Sequence, residues 1–137
     1  MKLFFLTLAL LTALLATATQ AHFAMHGPPE PDREPDPIEA ALLAAMDRGV
    51  PSGWVVQTAW LESRFNDRLI GSVGEVSMWQ LHPRWNPGVA DMTPNQRALR
   101  AVDLLARYQT EFRGDWQLVR LAYQSPAAAR ATSRRRR

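Results

Sequence analysis

The stretch "TAWLESRFN", Thr58 to Asn66, sets a carboxylate among apolar and aromatic side chains. Leu61 and Phe65 lie four apart, Trp60 adds a large ring, and Glu62 falls between them. The spacing predicts the last turn of a helix here. Two readings of Glu62 are open. A lone helical glutamate is ordinarily a solvated surface charge, and Arg64 or Arg68 is near enough in sequence to pair with it. Alternatively, Glu62 faces a cleft lined by Trp60, Phe65 or other rings. Desolvation would then raise its pKa, and a carboxyl kept protonated near neutral pH can donate to a glycosidic oxygen.

Outward from this stretch the pattern is helical. The helix carrying Glu62 is expected from near Ser52 to about Phe65, with Val55, Val56, Ala59 and Trp60 as its apolar face. The helix before it opens with Asp36 as cap, Pro37 in the first turn and Glu39 completing a capping box, and Gly49 ends it. Ile38, Leu42, Leu43 and Met46 repeat along it at helical spacing. Residues 66–76 read as a loop leading into "SMWQLHP" (Ser77–Pro83), a short helix or turn. "TPNQ" (Thr93–Gln96) is a second capping box. The long helix it starts buries Leu99, Val102, Leu105, Ala106 and Tyr108 and runs to Phe112. After Gly114, Asp115 can cap a last helix to about Tyr123. Nothing alternates with period two, so an all-α domain of about five helices is expected.

With 137 residues the chain is long enough for one domain with its own core. It has no cysteine, which excludes disulfides and thiolate metal sites. Its three histidines, His22, His26 and His82, have no metal-ligand spacing, so no metal or other cofactor is expected. The net charge of +3 is unevenly spread. Gly27–Pro37 holds four acids and one arginine, residues 38–129 hold nine of each, and the tail from Arg130 holds five arginines. That tail lacks aromatic interleaving, so no nucleic-acid partner is expected; it reads as a solubilising or wall-associated end.

The chain start carries Lys2, an apolar run from Leu3 to Leu15, and the small residues "ATATQA". This is the pattern of a secretory signal peptide over 1–21, cut after Ala18 or Ala21. The run is short for a full membrane span. With no cysteine beside the cut, no stable membrane insertion is expected, and the protein is placed in the periplasm or cell envelope. A proline- and acid-rich linker follows over 22–37, then a folded domain over 38–126. A frayed arginine-rich tail is expected over 127–137.

Three stretches in order carry a resemblance: Glu62–Ser63, "GSVGEVSMWQLHP" (Gly71–Pro83) and "LAYQ" (Leu121–Gln124). Together they resemble the soluble lytic transglycosylases, whose domain is like goose-type lysozyme. That family has a Glu-Ser pair ending a helix, a loop similar to Ser-x-x-Gly-Ala-x-Gly-Leu-Met-Gln-Leu-x-Pro, and a downstream Ala-Tyr-Asn-Ala-Gly. Ser72, Gly74, Gln80, Leu81 and Pro83 match the loop, and Phe112, Gly114 and Asp115 match a Phe-x-Gly-Asp turn. The likeness spans about 38–124. Departures are Glu75 for Ala, Ser77 for Gly, Trp79 for Met, Arg97 for Asn, Ala101 for Gly, and Gln124-Ser125-Pro126 for Asn-Ala-Gly.

The resemblance implies a lysozyme-like helical fold and cleavage of the bond between N-acetylmuramic acid and N-acetylglucosamine in peptidoglycan. Glu62 is the implied acid and then base, and the product is a 1,6-anhydro sugar. The implied substrate-binding set is Ser63, Ser72, Gly74, Glu75, Met78, Gln80 and Tyr123, with Tyr123 holding Glu62. Members like this open local gaps in the wall for secretion or conjugation machines, and such a partner is expected here. Glu75 and Asp67 are candidate second carboxylates for a hydrolytic lysozyme, but the favoured role of Glu75 is to bind loop backbone or pair with an arginine. Trp54 and Trp116 read as core, while Trp79 and Trp85 are open between packing and sugar stacking. The leading alternative is a non-catalytic peptidoglycan-binding or assembly protein of the same fold, ahead of the hydrolytic lysozyme.

Overall fold

The computed structural model describes residues 33–136. The chain divides into Met1–Glu34 and a folded unit from Pro35 onward. The signal peptide expected over 1–21 and most of the linker therefore lie outside the described residues. The folded unit is all-α, as expected: five α-helices, with two isolated β-bridges in the loop after the second.

Helix α1 (Pro37–Arg48) starts where the capping box requires. Asp36 Oδ1 accepts from the amides of Ile38 and Glu39, and Glu39 Oε2 accepts from the Asp36 amide. Such a cap contributes about 1 kcal/mol. Gly49 ends the helix at φ 65°. Its buried stripe is not the leucine face. Ala40, Ala41, Ala44 and Ala45 face inward, while Leu43 is exposed and Met46 is 75 % exposed. Small side chains let α1 lie close against the long helix; Ile38 and Leu42 pack half-buried at its edge, and Leu43 and Met46 are left on the outer side.

Helix α2 (Ser52–Ser63) has no side-chain cap at Pro51. It stops two residues earlier than expected, because Arg64 and Phe65 both turn left-handed, at φ 54° and 64°. Val55, Thr58 and Ala59 are buried. Val56 and Trp60 are exposed (Trp60 by 47 %), which corrects the wider apolar face expected. Trp54 stacks on Trp116 at 4.7 Å and 21°, tying α2 to the fourth helix as a core contact.

After a 3₁₀ turn at Val89–Asp91, Thr93 and Gln96 form the second capping box and open α3 (Pro94–Glu111). Ala98, Ala101, Val102, Leu104, Leu105 and Tyr108 form its buried stripe, while Leu99 is exposed rather than buried. Asp115 Oδ1 accepts from the Leu118 amide and caps α4 (Trp116–Gln124).

The tail is not frayed. Ser125 is extended (φ −151°, ψ 90°), Pro126 takes the first helical position, and α5 runs Pro126–Arg135. Proline fits there because its missing N–H would have no helical acceptor. Ala129 is buried, Arg130 grips Glu111 with two bonds of 2.6 and 3.2 Å, and Arg136 pairs with Asp115 at 3.1 Å. Exposed pairs contribute little each; here they orient a helix that buries one alanine.

Candidate functional site

The loop between α2 and the 3₁₀ turn is shaped by backbone pairing. Val76 and Leu81 exchange both amide–carbonyl bonds at 3.1 Å, and Gly71 N donates to Glu75 O at 2.8 Å. Of the short helix or turn expected at Ser77–Pro83, the structure has a tight turn. Ser77 and Gln80 enter the left-handed region (φ 67° and 45°), an unfavourable backbone for residues with a Cβ. The Gln80 amide offsets this by donating to the Ser77 carbonyl at 2.7 Å and to the Leu69 carbonyl at 3.3 Å. Trp79, fully buried, anchors the turn in the core. A Cβ at Gly71 would collide with the Glu75 carboxylate and lie 2.6 Å from Gln80 Oε1, so a side chain there would displace both side-chain ends.

Beside this loop is a cavity of about 310 Å³. Glu62 reaches it from the end of α2, Glu75, Gln80 and His82 from the loop, Arg107 and Tyr108 from α3, and Tyr123 and Gln124 from α4. Leu104, Trp85 and Pro126 add apolar wall. Neither Arg64 nor Arg68 pairs with Glu62; Arg64 lies over the Trp60 ring, 5.1 Å from its centroid. Half-buried, Glu62 has its carboxyl pushed above the ordinary 4.5, chiefly by desolvation. A hydrogen bond from Gln124 Nε2 (3.3 Å) and the Arg120 charge pull it back, and the Glu75 charge pushes it further up.

Of the expected binding set, Glu75, Gln80 and Tyr123 line the cavity with Glu62. Ser63, Ser72, Gly74 and Met78 do not. Ser63 Oγ donates to the Ala59 carbonyl and accepts from the Asn66 amide, so it closes the helix end. Ser72 is exposed, Gly74 supplies a left-handed turn at φ 89°, and the Met78 side chain is buried in the core. Glu75 Oε2 accepts from the Val73 amide at 3.2 Å, so the loop-binding reading of Glu75 holds alongside its place in the cavity. Of the paired tryptophans, Trp79 is core and Trp85 is exposed at the cavity.

Tyr123 does not bond Glu62 as expected. Its hydroxyl donates to the Trp79 carbonyl at 2.9 Å, and Gln124 takes the place beside Glu62. Burial, then the nearby Glu62 charge, raises the phenol well above its ordinary 10.0, so it remains a donor. Tyr123→Phe leaves the Trp79 carbonyl without that donor. The expected cost is about 1 kcal/mol, a fall in Tm of roughly 4–8 °C by thermal melting.

Trp85, a candidate sugar-stacking ring, and His82 also line the cavity; Arg107, Asn86 and Leu104 escaped the sequence reading. They carry no local motif and meet only because the loop and α3 converge at the cavity. The only available signal was Leu104 and Arg107 three apart on one predicted helix. Among the described residues no group of three or more His, Asp or Glu could hold a metal ion, and no helix is long and apolar enough to cross a membrane. The chain matches no protein-family model, no curated protein and no solved structure.

Proposed function

We propose that the protein is a lytic transglycosylase with a lysozyme-like helical domain, cleaving the β-1,4 bond between N-acetylmuramic acid and N-acetylglucosamine. The observation that carries this reading is Glu62: a desolvated carboxyl with raised pKa, in a cavity of about 310 Å³ beside a loop of the expected sequence. That volume lies at the small end of the range for ligand sites.

In this reading neutral Glu62 gives its proton to the bridging oxygen as the bond to the anomeric carbon breaks. The substrate's acetamido group stabilises the cation-like carbon. Ionised Glu62 then takes the proton of the same residue's 6-hydroxyl, whose oxygen closes the 1,6-anhydro ring, and no water is consumed. The Gln124 bond and the Arg120 charge favour the ionised form at mid-reaction. The signal-like start of the chain fits action in the cell envelope, in service of a secretion or conjugation machine.

A hydrolytic lysozyme is the second reading, favoured by Glu75 sharing the cavity with Glu62. Product ends separate the two. Incubation of the protein with purified peptidoglycan is expected to yield anhydro ends, and Glu75→Gln to lower their yield less than tenfold. Reducing ends, lost in Glu75→Gln, would establish hydrolysis. Binding without release would mean an assembly protein.

A further inference from the structure

One wall of the cavity carries a cation that the cleavage chemistry does not use. Arg107 stands on α3 beside Tyr108, and both line the cavity. Tyr108 is only 3 % exposed, so its ring is a fixed plate. The Arg107 guanidinium lies over that ring, 4.8 Å from its centroid, and its Nη2 donates to the Tyr108 hydroxyl at 2.9 Å. Arg107 is exposed, and stack and bond together favour this placement of its guanidinium plane.

Among the described residues Arg107 is the arginine that lines the cavity, and several others are engaged elsewhere. Arg48, Arg130 and Arg136 each pair with an acid. Arg97 donates to the carbonyls of Val89 and Ala90, and Arg100 to Asn86 Oδ1. Arg107 acts on Glu111, one turn on, through its charge but forms no close ion pair among the described residues, and the Tyr108 bond uses one of a guanidinium's five N–H donors. Nor does it serve the Glu62 carboxyl, whose charged neighbours are Arg120 and Glu75. A held guanidinium with free donors in a ligand-sized cavity matches a carboxylate, which it grips with two parallel bonds.

We infer that Arg107 is a specificity residue that binds a carboxylate carried by the glycan strand beside the cleaved bond. The inference rests on the peptidoglycan reading. Two sources share this chemistry: the lactyl ether carboxylate of a muramic residue without its stem peptide, and a free carboxylate of the stem peptide itself.

The test measures binding to the full chain carrying Glu62→Gln, which prevents turnover, by calorimetry. Four soluble fragments are used: a chitooligosaccharide with no carboxylate, a stem-free muramic oligosaccharide, and peptide-bearing oligosaccharides with free or amidated carboxylates. Adding Arg107→Gln is expected to lower the affinity ratio of carboxylate-bearing to neutral fragments about tenfold or more, and the fragment that loses affinity identifies the source. Arg107→Lys keeps the charge and stem and loses the fork. It is expected to cost at least about threefold in that ratio, and it covers the case in which the glutamine variant unfolds. An unchanged ratio in a folded variant overturns the inference alone. Binding of none of the fragments overturns the peptidoglycan reading and the inference with it.

Discussion

Glu62→Gln is expected to lower strand cleavage by roughly 10²–10⁴-fold, the usual contribution of a general acid–base group, with little change in melting temperature. The amide has nearly the carboxyl's shape and can still accept from Gln124, so the variant isolates the lost proton. The wild-type pH profile follows from the direction of the shift. Burial raises the Glu62 pKa above 4.5, and the active form is protonated. The rate should therefore fall as pH rises through that raised value. Stability has the same sign: the contribution of neutral Glu62 is present at acid pH and is lost as pH rises through the folded-state pKa. That pH dependence should vanish in Glu62→Gln. Gln124→Leu removes a donor that favours the ionised form, so the falling limb should move to higher pH. A limb that moves down, or a glutamine variant that cleaves normally, would remove Glu62 from the reaction.

What could be read from the sequence was local. The caps at Asp36, Thr93 and Asp115 are contacts between residues two or three apart, so their chemistry is written in adjacent letters. The helix order and the all-helical class followed from them. Which face of a helix is buried was less legible, because it depends on how closely the partner approaches. On α1 the alanines face α3, and Leu43 and Met46 are left outside. The same composition reads equally well with the leucines inward. At the chain end the sequence places the edge of the folded domain at Pro126, although proline is also a first-turn residue. What makes it a start is α5 docking on Glu111 and Asp115, 19 and 21 residues upstream of its arginines.

The site divides in the same way. Glu62 and the loop from Gly71 to Pro83 could be singled out as short ordered stretches. Their partners could not. Tyr123 meets the Trp79 carbonyl across 44 residues, and Gln124 meets Glu62 across 62. Gly71 is telling, since the two side-chain ends that a Cβ there would displace are brought over it only by folding. Sequence showed a glycine in a loop, and the collision it avoids exists only in three dimensions.

Trp79→Ala should have the largest effect on stability, and through it on the site. The ring is fully buried among the core side chains, so its removal is expected to cost about 3–5 kcal/mol, with a fall in Tm of more than about 10 °C. The same residue's carbonyl receives the Tyr123 hydroxyl, and its neighbour Gln80 lines the cavity. Loosening the ring should therefore also loosen the loop that faces Glu62, so activity should be lost even at temperatures where the variant is still folded. Trp79→Phe separates packing from polarity. The Trp79 Nε1 has no protein acceptor, so losing it removes no protein hydrogen bond, and phenylalanine keeps most of the buried ring. Its expected cost is under half that of alanine, by denaturant or thermal melting. If the two substitutions cost the same, the ring's volume is not what holds the turn. If Trp79→Ala melts like the wild type, the loop is not anchored in the core, and the cavity beside Glu62 loses its structural basis.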